Sequence, residues 1–159
     1  MSKVDVIEAR RLSLELMEIS KAAYLTTIDA KGFPHTRGMT NMRNRNTHPH
    51  LMPLFHDHRE DFLILFSTNT SSEKIKHVKE NPKVAVYYSH PEKTQGVMFG
   101  GEIEINPDIR LKRAIWRDEM VKYYPSGYDD PDHTILRLRP RMAKGWNGQK
   151  FTTFAFNIS

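Results

Sequence analysis

Apolar and polar positions recur with two different periods along this chain, and the switches between them mark out its elements. Residues 5–20 carry Ala9, Leu12, Leu16 and Ile19 at helical spacing on one face, and Asp5 followed by Glu8 predicts a capped start. Alternation with a period of two then takes over. "AAYLTTI" and "FPHTRGM" predict a hairpin about the turn "DAKG", with Gly32 in the turn and Pro34 placing the second strand at an edge or bulge. "HLMPLF" and "DFLILFST" predict a second hairpin across "HDHRE". A short helix over 71–81 is expected to stop at "NP", because the residue before proline disfavours helical geometry. "KVAVYYS" and "GVMFGGEIEI" predict two further strands. Asn106 and Pro107 read as the cap and first residue of a helix to about Tyr123, and "TILRLR" and "AKGWN" as the closing strands. Six or seven strands with mostly hairpin-length connections predict a mainly β fold, a small β-barrel with peripheral helices.

Composition narrows the class. A chain of 159 residues suits one domain over 1–159 with a real core. The longest apolar run, "FLILF", falls far short of the ~20 residues that span a bilayer. "MSKVDVIEARR" has early charges and no apolar h-region, so no signal peptide and a cytoplasmic location are expected. With no cysteine there is no disulfide, thiolate zinc site or thiol redox chemistry, and any redox function must come from a bound cofactor. The surplus of 24 Lys and Arg over 19 Asp and Glu, +5, suits a phosphorylated small molecule as well as nucleic acid. No groove-entering helix or ladder of exposed aromatics accompanies it, and the arginines of "LRLRPR" alternate as on a strand with one wet face, so no nucleic-acid partner is expected.

The stretch "FSTNTSSEK", Phe66 to Lys74, ends a hydrophobic strand in small polar residues and one lysine. Thr70 and Glu73 have the spacing of a capping box, which makes the segment a helix start. The same geometry serves an anion. A helix N-terminus offers free N–H groups, hydroxyls of Ser67, Thr68, Ser71 or Ser72 add donors, and Lys74 opposes the helix dipole unless an anion lies near it. Four histidines in "HPHLMPLFHDH" form the pairs His48/His50 and His56/His58, a metal-compatible spacing on a strand. They sit beside prolines and turn residues with no cysteine to join them, and no metal is expected. Trp146, in "KGWNG", suits a core position or a site where flanking glycines admit a flat ring; Asp129 and Asp130 in "GYDDPD" read as a loop. No dinucleotide fingerprint, phosphate loop or nucleophile elbow is present, so hydrolysis lacks support and no catalytic acid or base is assigned.

These residues, in this order, resemble the pyridoxamine-phosphate-oxidase-like flavoproteins with the FMN-binding split-barrel fold. The similarity runs from "YLTTIDAKGFPHTRGM" to "KGWNG" and is densest over "LFSTNTSSEKIKHVKENPKVAVYY". The stretch "GGEIEINPD…AIWRDEM…YYPSGYDDPD…ILRLRP…GWNG" looks like the small general-stress-protein branch. The resemblance implies a homodimer with one FMN at each of two subunit interfaces. By position it implies that Arg37, Gly38, Met39 and Thr40 run beside the isoalloxazine and phosphate, with Ser67 and Thr68 as the next contacts. Ser72 joins them, Lys74 is the phosphate-binding lysine, and Gln95, Gly96 and Trp146 lie at the cofactor. Two departures stand out. Glu73 occupies the place of a second phosphate-site arginine, and "TTFAF", Thr152 to Phe156, replaces the oxidase's Arg-Leu-His-Asp-Arg run. Oxidation of the vitamin phosphates is therefore not expected. The expected function is an FMN-dependent oxidoreductase passing electrons between small-molecule donor and acceptor. The alternatives are a flavin-storage or redox-sensing protein, or a deazaflavin-using reductase of the same fold.

Overall fold

The computed structural model describes residues 2–159. Helix α1, Lys3–Ile19, begins two residues earlier than the sequence pattern indicates. Ser2, not Asp5, is the N-cap: its hydroxyl accepts from Asp5 N–H at 3.1 Å while the Asp5 carboxylate accepts from Ser2 N–H, so Asp5 is the far corner of the capping box. Strands β1 (Ala22–Ile28) and β2 (Pro34–Thr40) form the expected hairpin. Gly32 takes φ +85 in its turn, and the Asp29 carboxylate accepts from the N–H groups of Lys31 and Phe33. β2 is an edge strand, which accommodates Pro34.

The expected second hairpin does not form. Its first half is helical, a 3-10 turn at Pro49–Leu51 leading into α2, Met52–His56. Pro49 and Pro53 sit early in their turns, where a missing N–H costs nothing, and Leu51 and Phe55 point to one side four residues apart. β3, Ile64–Asn69, pairs instead with β6, His133–Leu138. Its run of apolar residues is explained by burial on both faces: Ile64 and Phe66 enter the main core, Leu63 and Leu65 a second cluster with Met42, Leu51, Phe55, Ile115 and Ile135.

After α3 (Glu73–Glu80) come β4, Lys83–Ser89, and the long β5, Gln95–Asn106. β5 pairs with β4 on one side and with β7, Met142–Asn147, on the other, then exchanges β7 for β6 from Ile103 onward. Gly101 marks that exchange, with Leu138 and Pro140 filling the space a Cβ would take. Asn106 ends β5 rather than capping a helix. Asp108 is the cap of α4, Ile109–Ile115, and the expected continuation to Tyr123 is a separate 3-10 turn, Asp118–Lys122. An eighth strand, β8, Thr152–Asn157, closes the chain against β7.

The hydrogen-bonded order is β2-β1-β4-β5-β6-β3, with β7 and β8 branching from β5. The sheet curls over a core of Leu16, Met17, Leu25, Val86, Tyr88, Phe99 and Leu136, capped by α1. Its two ends, β2 and β3, come against each other without forming a ladder. The barrel is thus split between them rather than closed, and the candidate site lies at that split.

Candidate functional site

The end of β3 and the start of α3 are shaped by the distant 131–134 segment. Asp132 accepts from Asn69 Nδ2 at 2.6 Å and from Ser71 N–H at 2.9 Å, and Thr70 Oγ1 donates to the Pro131 carbonyl at 2.8 Å. The capping box expected from Thr70 and Glu73 is therefore not made. Thr70 is turned toward residues 131–134, and the N-cap of α3 is Ser72, whose side chain makes no capping bond. The Ser72 hydroxyl is buried and, among the described residues, has no hydrogen-bond partner. Buried polar groups are nearly always paired, so this orphan singles out the turn as a candidate binding point.

Two cations share the same corner. Lys74 Nζ donates to Thr68 Oγ1 at 2.9 Å, and Arg37, facing inward from β2, donates from Nη1 to Thr27 Oγ1 at 2.8 Å and to the Leu25 carbonyl at 3.3 Å. Burial, and then the Arg37 charge, push the Lys74 ammonium's pKa down. Burial likewise lowers Arg37, with Glu73 opposing. Two half-buried like charges held together destabilise each other, and an anion placed between them removes that cost. Behind them, Thr27 Oγ1 lies 2.8 Å from His77 Nδ1, His77 Nε2 lies 3.5 Å from Glu73, and the His77 ring sits 4.8 Å from that of His35. His35 is held by Asp29 at 2.8 Å, a bond that draws the Asp29 pKa down to about 2.

A cavity of about 430 Å³ adjoins this corner, lined among others by Thr40, Ser67, Thr68, His48, Arg117 and Tyr124. Its walls are apolar at Met42, Ile115 and Met120, and Arg117 faces Glu119 at 3.5 Å, so its charges are balanced. Arg117 also donates to the Thr47 carbonyl at 2.9 Å, which fixes the loop carrying His48. Ser67 Oγ lies 2.6 Å from His133 Nε2, and His133 Nδ1 lies 2.6 Å from the Tyr128 carbonyl. A carbonyl only accepts, so Nδ1 carries the proton and Nε2 accepts from Ser67, whose oxygen keeps its lone pairs as acceptors and lies beside the Tyr124 hydroxyl. His133 is fully buried, and that burial lowers its pKa.

Gln95, Gly96 and Trp146 are not brought to this corner. Gln95 donates to Asn147 Oδ1 at 3.0 Å, while Gly96 and Trp146 line a separate cavity of about 680 Å³ with Tyr87, Lys144, Thr153 and Phe154. The glycines beside Trp146 serve the chain itself: Gly145 is crowded by the Phe154 ring and the Gly96 carbonyl, Gly148 by Thr94. Met39 packs against the core, and Gly38 lies beside the Tyr24 ring. His48 and His50 stand 5.8 Å apart, His58 pairs with Asp61, and among the described residues no three potential metal ligands gather. Asp130 organises a turn by accepting from the N–H groups of Ser126 and Asp132. Thr27, His77, His133 and Tyr124 are absent from the sequence-based candidates, although strand alternation already places Thr27 on the inner face with Ala23 and Leu25.

An eight-stranded antiparallel half-barrel with a cation-lined split is the architecture of the FMN-binding split-barrel class. The family model described as "Pyridoxamine 5'-phosphate oxidase like" matches residues 8–159, and the chain belongs to that family. A Clostridium acetobutylicum protein related to general stress protein 26 of B. subtilis, of the pyridoxinephosphate oxidase family, is 27% identical with TM-score 0.71, covering 99% of this chain and 97% of its own. A pyridoxamine 5'-phosphate oxidase-related, FMN-binding protein from Nostoc punctiforme is 13% identical with TM-score 0.59, covering 100% and 98%. A heme-binding protein from Mycobacterium smegmatis is 16% identical with TM-score 0.63, covering 91% of this chain and 57% of its own. No curated protein sequence matches the chain. No helix among the described residues is long and apolar enough to cross a membrane.

Proposed function

We propose that this protein binds FMN at the split between β2 and β3 and acts as a flavin-dependent oxidoreductase on small molecules. The observation that carries this reading is the buried, unpartnered Ser72 hydroxyl in the same turn as half-buried Lys74, whose ammonium feels the Arg37 charge from β2. Those groups fit a terminal phosphate, for which Lys74 and Arg37 supply charge and Ser72 a hydroxyl, at a helix N-terminus. Thr68 belongs both to this corner and to the 430 Å³ cavity, so a ligand anchored by its phosphate extends toward Ser67 and Thr40. Bound flavin supplies the electron-transfer chemistry that a chain without cysteine lacks. The chain's own part is to hold the phosphate, present a hydrogen-bond acceptor at Ser67, and exclude water with Met42, Ile115 and Met120.

The reading includes a homodimer. Trp146 and Gly96 lie on the outward face of the sheet, among small and apolar residues. The cross-strand row Gly38, Tyr24, Tyr87, Met98, Lys144 and Ala155 runs over this face, and Tyr24 and Tyr87 are 40% and 43% exposed. A second subunit covering this face would bring the Trp146 cavity of one chain toward the split of the other, completing a site that one chain leaves in two parts.

The absorption spectrum of protein purified without added cofactor tests the reading. The two-banded absorption of a flavin is expected. A Soret band would point to heme binding, as in the M. smegmatis neighbour, and a deazaflavin spectrum would keep the phosphate site but change the ring. Turnover with a reduced nicotinamide and an electron acceptor separates an oxidoreductase from a flavin store.

A further inference from the structure

His77 is a costly residue where it stands. It is 3% exposed on the inner side of α3 beside Ile75 and Val78, where an aliphatic side chain would pack without a polar group to satisfy. Its two ring nitrogens face different partners. Nδ1 lies 2.8 Å from Thr27 Oγ1, and Nε2 lies 3.5 Å from Glu73 Oε1.

The directions of these bonds follow from the donors. Arg37 can only donate, so the Thr27 oxygen accepts from Nη1 at 2.8 Å. With the Leu25 carbonyl also accepting from Nη1, the remaining donors of the guanidinium are left for a ligand. The Thr27 hydroxyl proton then has His77 Nδ1 as its acceptor. That places the ring proton of neutral His77 on Nε2, toward the Glu73 carboxylate. Thr27 is fully buried, out of reach of bulk solvent. The chain His77–Thr27–Arg37 therefore links α3 to the arginine across the split by way of two buried side chains.

We propose that His77 is a positioning residue for the anion site. Through the Thr27 hydroxyl it fixes the Arg37 guanidinium in the orientation that serves a phosphate. The proposal rests on the reading of this corner as a phosphate site.

The test is titration of FMN and riboflavin into wild type, His77→Leu, His77→Asn, Thr27→Val and the double variant His77→Leu/Thr27→Val, with thermal melts confirming that each is folded. Wild type should prefer FMN over riboflavin. His77→Leu should lose roughly tenfold in FMN affinity while riboflavin affinity holds, as for loss of one charge-orienting hydrogen bond. His77→Asn, whose Oδ1 can accept from Thr27, should recover most of it. Thr27→Val should reproduce the His77→Leu loss, and the double variant should be no worse than either single one, since both break one relay. A folded His77→Leu or Thr27→Val protein with the full wild-type preference for FMN overturns the positioning role. Equal affinity of wild type for FMN and riboflavin overturns the phosphate reading itself, independently of His77.

Discussion

Lys74 reaches back from the first turn of α3 and donates to the Thr68 hydroxyl at 2.9 Å, so one cation ties the end of β3 to the helix that follows it. Because Thr68 accepts from Lys74, its own proton is left for another acceptor, which an anion would provide. Lys74→Ala is expected to weaken FMN binding by about 1.5–3 kcal/mol, or about ten- to over a hundredfold. Riboflavin, which lacks the phosphate, should bind as before, and apo-protein stability should hardly change because a first-turn lysine opposes the helix dipole. Fluorescence titration of both ligands checks this; equal losses for the two would place Lys74 away from the phosphate.

Ser72→Ala should behave unlike most N-cap substitutions. Removing a capping hydroxyl usually costs ~1 kcal/mol, but the Ser72 side chain makes no capping bond and its buried oxygen has no partner. The apo protein should be as stable as wild type or gain up to about 1 kcal/mol, since an unsatisfied buried group is removed. FMN affinity should fall. Denaturant melts and titration together distinguish this from an ordinary cap.

The outward sheet face predicts a mass near twice 18.6 kDa by light scattering. Ala85 sits on that face between Thr26 on β1 and Gly100 on β5. Ala85→Arg places a long charge among small residues and should yield folded monomer with weakened FMN binding. A variant that stays dimeric would put the interface elsewhere.

His133 gives the stability a pH dependence of definite sign. Burial lowers its pKa below the ordinary 6.5, so as pH falls past that value the unfolded chain takes up a proton that the folded chain refuses. Stability should be level above neutrality and decline through the 6.5 region toward the lower folded-state pKa. His133→Gln should flatten that decline. His48, lowered first by burial and then by Arg117, contributes in the same direction and leaves a residual slope.

Pyridoxamine phosphate and pyridoxine phosphate should not be oxidised. Thr152–Phe156 lie in β8, pair with β7 and send Phe156 into the core, so this strand presents no arginine or histidine to a substrate phosphate. Aldehyde formation at micromolar substrate would refute this.

Much of the architecture was legible because alternation in strands and proline geometry are local. "AAYLTTI" and "KVAVYYS" became strands over those same residues, and "NP" stops α3. The segment "HLMPLF" misled because a short apolar run with proline fits either a strand or a helical turn, and the choice was made by the docking of Leu51 and Phe55 into the second cluster. β8 was invisible because "TTFAFN" fully buries only Phe156, with Phe154 packed at the core's margin. In the site, Arg37, Thr68 and Lys74 do converge, with Ser72 at the cap of the helix that carries Lys74. The partners that fix them, Thr27 with His77 and Ser67 with His133, are 50 and 66 residues apart and follow from no local pattern.

The ties from Asn69, Thr70 and Ser71 to residues 131–134 span more than 60 positions of sequence. During synthesis, β3 and α3 emerge long before these partners do. The turn holding Ser72 can take its final shape only after β6 has been made and laid beside β3, a loop closure of the kind that slows folding. Nascent chains that end before residue 131 should therefore be unable to retain the cofactor, and ligand affinity should arise late, with the arrival of the sixth strand.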